Sequence, residues 1–115
     1  MDKSLDLNNF HEMTDGDSEL EQALFAEFIT SCNSGIETLR QCLAARDSEK
    51  WARTVHALKG ISLNLGAIRL GELLKTAQTA GGSEKSLGAI ISEFDLVRNH
   101  LKSMGTTQAR SEAVR

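Results

Sequence analysis

No proline interrupts this sequence anywhere. Tight turns and strand ends commonly recruit proline, so its absence from a 115-residue chain argues against β-rich architecture. Helices joined by Gly, Ser and Asp turns fit better. Long apolar runs are missing too: nothing approaches the roughly 20 residues a membrane span needs. The start, MDKSLDLNNF, is too polar for a secretory signal. Charge of one sign is also lacking. Thirteen Lys and Arg stand against sixteen Asp and Glu, for a net charge of −3, with no basic block. Neither nucleic acid nor a membrane is therefore expected as a partner. Cysteine is scarce as well. Cys32 and Cys42 fall inside a helical pattern without Cys-x-x-Cys or Cys/His spacing, so they are expected buried and reduced, with no disulfide and no metal. The chain reads as one cytoplasmic domain, since its length leaves no room for a separate cofactor domain.

What is present is helical periodicity. Leu5, Leu7, Phe10 and Met13 space a short amphipathic segment opened by Asp6, and Asp15-Gly16-Asp17 then breaks the chain. Ser18 followed by Glu21 fits a capping box for the next helix. Leu24, Phe28, Cys32, Leu39 and Leu43 carry it to Arg46, with a kink expected at Asn33-Ser34-Gly35. Asp47 or Ser48 caps a helix in which Trp51, Val55, Leu58, Ser62 and Leu65 recur at steps of three and four, and Gly66 ends it. Another runs from about Ala67 to Ala80, with Leu70, Leu73, Leu74 and Ala77 inward and Gly81-Gly82 as its stop. Ser83 opens the last, whose stripe is Leu87, Ile90, Ile91, Phe94, Val97, Leu101 and Met104. The expected fold is all-α: an antiparallel up-down-up-down four-helix bundle with a short additional N-terminal helix. Residues 1–104 form the bundle, and 105–115 a polar, disordered tail.

Of the three histidines, His11 and His100 read as solvated surface residues. His56 is different. At about 100° per residue, the apolar members of its helix cluster within an arc of roughly 80°, and His56 points about 140° from the middle of it. Lys59, Gly60 and Leu63 share its side at i+3, i+4 and i+7. A nucleophilic ring thus faces solvent beside an ammonium and a bare stretch of backbone. Neutral imidazole is a good nucleophile near neutral pH, and a nearby ammonium offsets the charge of an incoming phosphoryl group. Gly60 keeps the surface low for a partner, and Ala52 and Leu63 complete a docking surface around the ring. Glycine inside a helix costs about 0.5–1 kcal/mol relative to alanine, so its presence asks for a reason.

Residues 54–67, TVHALKGISLNLGA, closely resemble the signature of the histidine phosphotransfer (HPt) family: a histidine, two residues, Lys-Gly, a small-residue stretch and a Leu-Gly pair. His56, Lys59, Gly60, Ser62, Leu65, Gly66 and Ala67 match it. The similarity extends more loosely over residues 5–104. Ile61 departs from it, standing where members usually have Ser or Ala; the helical wheel puts it on the core flank, away from the ring. The resemblance implies a phosphorelay carrier in two-component signal transduction. His56 would accept a phosphoryl group from a receiver aspartyl phosphate or a kinase, becoming a phosphoprotein, and pass it to a receiver aspartate. Gln78 matches a position where some members carry a glutamine that hydrogen-bonds near the active histidine.

The implied partners are response-regulator receiver domains and an upstream sensor histidine kinase. No cofactor is expected on this chain; Mg²⁺ belongs to the partner receiver. With no nucleotide-binding motif, the chain is expected to carry phosphate rather than act as an ATP-dependent enzyme. The alternative is a helical interaction module that binds or inhibits a receiver or kinase without transfer. Met1 and the lack of linker residues favour a free-standing protein over a domain of a larger kinase, and the missing spare apolar stripe favours a monomer.

Overall fold

The structure, a computed structural model, describes the backbone of residues 5–114 and the side chains of residues 5–103. Five helices occupy that span: α1 (Asn8–Thr14), α2 (Ser18–Ala45), α3 (Ser48–Leu65), α4 (Ile68–Ala80) and α5 (Glu84–Val114). Helices α2 to α5 form an antiparallel ring in which α3 packs on α2 and α4, and α5 closes against α4 and α2. Among the described residues no strand is present. No described helix is long and apolar enough to cross a membrane.

The side chains that open the helices are those that satisfy orphan backbone N–H groups. Asp47 Oδ1 accepts from Lys50 N at 3.0 Å at the head of α3, and Ser83 Oγ accepts from Ser86 N at 3.0 Å at the head of α5. The capping box expected from Ser18 and Glu21 does not form. Asp17 caps α2 instead, accepting from Leu20 N at 3.1 Å, because the αL turn at Asp15 and Gly16 starts the helix one residue earlier than that pattern assumed.

Glu21 is thereby free for another role. It is 7% exposed, and its Oε2 accepts from Thr14 Oγ1 at 2.5 Å and lies 2.7 Å from His11 Nδ1. His11 is therefore not simply solvated. Its ring is half exposed, but one nitrogen holds a buried carboxylate that ties α1 to α2. The bond from His11, then that from Thr14, hold the Glu21 carboxyl below its ordinary range, against burial and the charge of Asp17, which raise it. Phe10 stacks on Phe25 in the same region, whereas Met13, expected on the same stripe, is 66% exposed.

Helix α2 runs unbroken through Asn33, Ser34 and Gly35. Gly35 has a packing reason: a Cβ there would come within 2.7 Å of the Leu58 side chain, so the glycine lets α2 and α3 approach closely. The core is the set of stripes read from the sequence, with Trp51, Val55, Leu58, Leu65, Leu70, Leu74, Phe94 and Val97 all at most 5% exposed. Each such side chain contributes roughly 1.5–3 kcal/mol by leaving water. Cys32 and Cys42 are buried free thiols, and burial pushes the Cys32 thiol up to about 12. Met104 of the last stripe lies outside the described side chains. Helix α5 is continued to Val114, and the tail read as disordered from Gly105 lies outside the described side chains.

Glu21→Gln should lower the unfolding free energy by about 1.5–3 kcal/mol at neutral pH, since a bond to a charged group is lost. A depressed carboxyl stabilises the fold above its unfolded value and loses that contribution as pH falls through its folded value. The wild-type advantage should therefore shrink below the ordinary carboxylate range, as urea unfolding at a series of pH values would measure. A pH-independent difference would remove the carboxylate charge from the account.

Candidate functional site

The five inward residues of α3 fix how that helix is rotated. Trp51 is 1% exposed, Val55 and Ser62 are fully buried, and Leu58 and Leu65 are each 5% exposed. Trp51 also donates from Nε1 to the Ala77 carbonyl at 3.2 Å, tying α3 to α4. With that arc turned inward, His56, at the middle of α3, is exposed, and it makes no hydrogen bond or ion pair within the described residues. Its ring is free to meet a partner.

Around it the structure brings together most of the residues read from the sequence. Lys59 is half-buried and unpaired among the described residues, and Ala52 is half-buried on the preceding turn. Gly60 is exposed, and a Cβ added there would meet nothing within 4 Å. The chain's own packing therefore gives no reason for a glycine at that point of the helix. Leu63 is 48% exposed, so part of it faces solvent as expected, but its tip fills the space over Gly71 of α4. It is a packing residue as well as a surface one. Ile61 packs against the core, as the helical wheel placed it.

Gln78 is half-buried on α4 and forms no hydrogen bond with His56 among the described residues. His100 is exposed on α5, in a different part of the bundle. One neighbour went unnoticed in the sequence: Arg53 is exposed one turn before His56 and places a second cation on the same helix. The i−3 spacing was the available signal for it.

Gly66 closes the site's helix from below. Its φ of +105° is the left-handed conformation that caps α3, and Ala67 N donates across the end to the Ser62 carbonyl at 2.8 Å. Asp6 N donates to the Gly66 carbonyl at 2.8 Å, and a Cβ on Gly66 would collide with the Asp6 carbonyl oxygen. The second glycine of the motif thus lets the N-terminal segment cross the helix end.

An apolar groove of about 370 Å³ lies between α1, α2 and α3, lined by Phe10, Met13, Leu24, Phe28, Ile61 and Leu65 among others. On α3 its wall at Ile61 lies about 140° around the axis from His56. The groove and the exposed ring therefore belong to different faces.

The model of the Hpt domain matches residues 23–107, which include all of these α3 and α4 positions. Two solved structures share the fold. Histidine-containing phosphotransfer protein B (HptB) from Pseudomonas aeruginosa PAO1 superposes with a TM-score of 0.79 at 22% identity, over 90% of this chain and 96% of that one. Histidine phosphotransferase ShpA from Caulobacter crescentus gives 0.76 at 19% identity, over 96% and 98%. No curated protein matches the sequence.

The two motif glycines should respond to alanine in opposite directions. Gly60→Ala should raise stability by about 0.5–1 kcal/mol, the ordinary gain inside a helix. Gly66→Ala should cost at least about 1–2 kcal/mol for its left-handed backbone alone. Urea unfolding of both variants checks this, and a destabilising Gly60→Ala would show a packing role that the structure lacks.

Proposed function

The chain belongs to the Hpt domain family, and on that premise of a phosphotransfer protein in two-component signalling we propose that His56 is its phosphorylated residue. The observation that carries this reading is the unpartnered, solvent-facing imidazole at the middle of α3, beside Lys59 and a glycine that intramolecular packing does not require.

In the proposed step a ring nitrogen of neutral His56 attacks the phosphorus of an aspartyl phosphate on a response-regulator receiver, or of a phosphohistidine on a sensor kinase. An N–P bond forms as the bond from phosphorus to the donor breaks: the P–O bond of the aspartyl phosphate, whose aspartate leaves as carboxylate, or the P–N bond of the phosphohistidine, whose imidazole leaves neutral. The His56 imidazole keeps its other N–H, and the resulting positive charge persists until that proton passes to water. Reversal of the same step delivers the group to the aspartate of a second receiver. Lys59 stays protonated throughout and offsets charge on the phosphoryl oxygens.

The receiver supplies Mg²⁺, and the chain holds no cofactor of its own and takes no phosphate from ATP directly. It works as a monomer in the cytoplasm, with Ala52, Gly60 and Leu63 meeting the receiver around the ring. Gln78 acts from α4 as a hydrogen-bonding neighbour once a phosphoryl group is in place.

His56→Gln should abolish acceptance of label from a phosphorylated receiver while leaving helical content and melting temperature nearly unchanged. Acid-labile, base-stable phosphate is the readout. Label on His11 or His100 would overturn the assignment, and binding of the receiver without any labelling would favour the interaction module.

Lys59→Ala should slow transfer by roughly 5- to 150-fold, the range of a charge-assisted hydrogen bond, with a smaller effect on receiver binding. Gly60→Gln should weaken binding and transfer together, because it blocks close approach. Single-turnover rates and calorimetric Kd values separate the two roles. Wild-type values for both variants would withdraw them.

A further inference from the structure

We propose that Lys75, on α4, is a further cation of the phosphoryl site, facing His56 across the crease between α3 and α4. The inference rests on the reading of His56 given above and adds a residue that no motif contains.

Two contacts bracket the crease. Leu63 lies over Gly71, and Trp51 Nε1 donates to the Ala77 carbonyl at 3.2 Å. Between them α3 advances from residue 51 to 63 while antiparallel α4 runs back from 77 to 71. His56 and Lys59 fall within the first interval and Lys75 within the second, so all three lie in the bracketed stretch.

The faces agree as well. On α3, Leu63 is seven residues from His56, which rotates it only about 20° around the axis. On α4, Lys75 is four residues beyond Gly71, about 40° from the direction in which Gly71 meets Leu63. Because Leu63 touches Gly71, the His56 side of α3 and the Lys75 edge of α4 open onto one groove. Packed helix axes lie about 8–10 Å apart, a gap that the four-carbon stem of lysine can cross.

Lys75 is available for this role. It is exposed and forms no ion pair among the described residues, although Glu72 stands three residues away on the same helix. Lys59, half-buried on the α3 side of the groove, is equally unpaired. Two ammonium groups that nothing neutralises thus border the groove that His56 overlooks. A phosphoryl group on the ring carries close to two negative charges, and the cations of α3, Lys59 and Arg53, approach it from one wall only. Lys75 approaches from the opposite wall and donates to an oxygen that Lys59 does not reach. It remains protonated, and it neither gives nor receives an atom in the transfer.

The test uses phosphoramidate, which phosphorylates histidine without a partner: the ring nitrogen attacks phosphorus, the P–N bond of the reagent breaks, and ammonia leaves. His100, also exposed but on α5, is the internal reference. Wild-type protein should label His56 faster than His100, as resolved by mass spectrometry of the two peptides. Lys75→Ala should lower the His56-to-His100 rate ratio about 2- to 5-fold, the range of an exposed ion pair, and the loss should shrink in high salt. Lys75→Arg should keep most of the ratio, and Lys85→Ala, which removes the same charge at the start of α5, should leave it unchanged.

An unchanged ratio in Lys75→Ala, or an equal fall in Lys85→Ala, overturns the role of Lys75. Neither result touches receiver-dependent labelling of His56, which tests the underlying reading separately. Equal labelling of His56 and His100 in the wild type overturns the idea that cations draw phosphoryl groups to this groove.

Discussion

The rotation of α3 about its own axis is the constraint on which the site depends. Trp51, Val55, Leu58, Ser62 and Leu65 are all at most 5% exposed, and together they leave the helix one way to sit in the bundle. Turning it by a single residue position, about 100°, would drag Trp51 and Val55 toward water at roughly 1.5–3 kcal/mol each. It would also break the bond from Trp51 to the Ala77 carbonyl. His56 faces solvent because its neighbours must not. No hydrogen bond or ion pair among the described residues holds it there, so the ring is positioned without being paired.

Glycines divide the same helix pair into parts that serve the fold and a part that does not. Gly35 admits Leu58 against α2, Gly66 admits the Asp6 backbone across the end of α3, and Gly71 admits Leu63 against α4. At each of these a Cβ would strike another part of the chain. At Gly60 it would strike nothing. A helix-weakening residue that intramolecular packing does not require is what supports the docking role proposed for Gly60. The motif Lys59-Gly60…Leu65-Gly66 thus mixes two physical demands that a sequence pattern records in the same letter.

The N-terminal segment is secured separately from the bundle ring. His11 and Thr14 hold the buried Glu21 carboxylate, Phe10 stacks on Phe25, and Asp6 bonds to the Gly66 carbonyl. These contacts place α1 over the end where α2 begins and α3 finishes, beside the apolar groove and away from the His56 face. The chain can anchor its first helix without crowding the ring.

Periodicity and caps determined much of this protein directly. The stripes of α3, α4 and α5 and their starts at Asp47 and Ser83 were legible, because burying an apolar face and satisfying the first N–H groups are local demands that repeat along the chain. The outward direction of His56 followed from the same arithmetic, and the signature supplied the chemistry. Contacts between elements were not legible. Glu21 has the spacing of a capping residue yet reaches Thr14 and His11, and Gly35 resembles a weak point in α2 but receives Leu58. Lys75 is an ordinary surface lysine until Leu63 on Gly71 and Trp51 on Ala77 set α4 beside α3. Helical spacing fixes which residues share a face of one helix. Which faces then meet, and at what register, depends on side chains from two helices fitting together, and only the tertiary structure decided that.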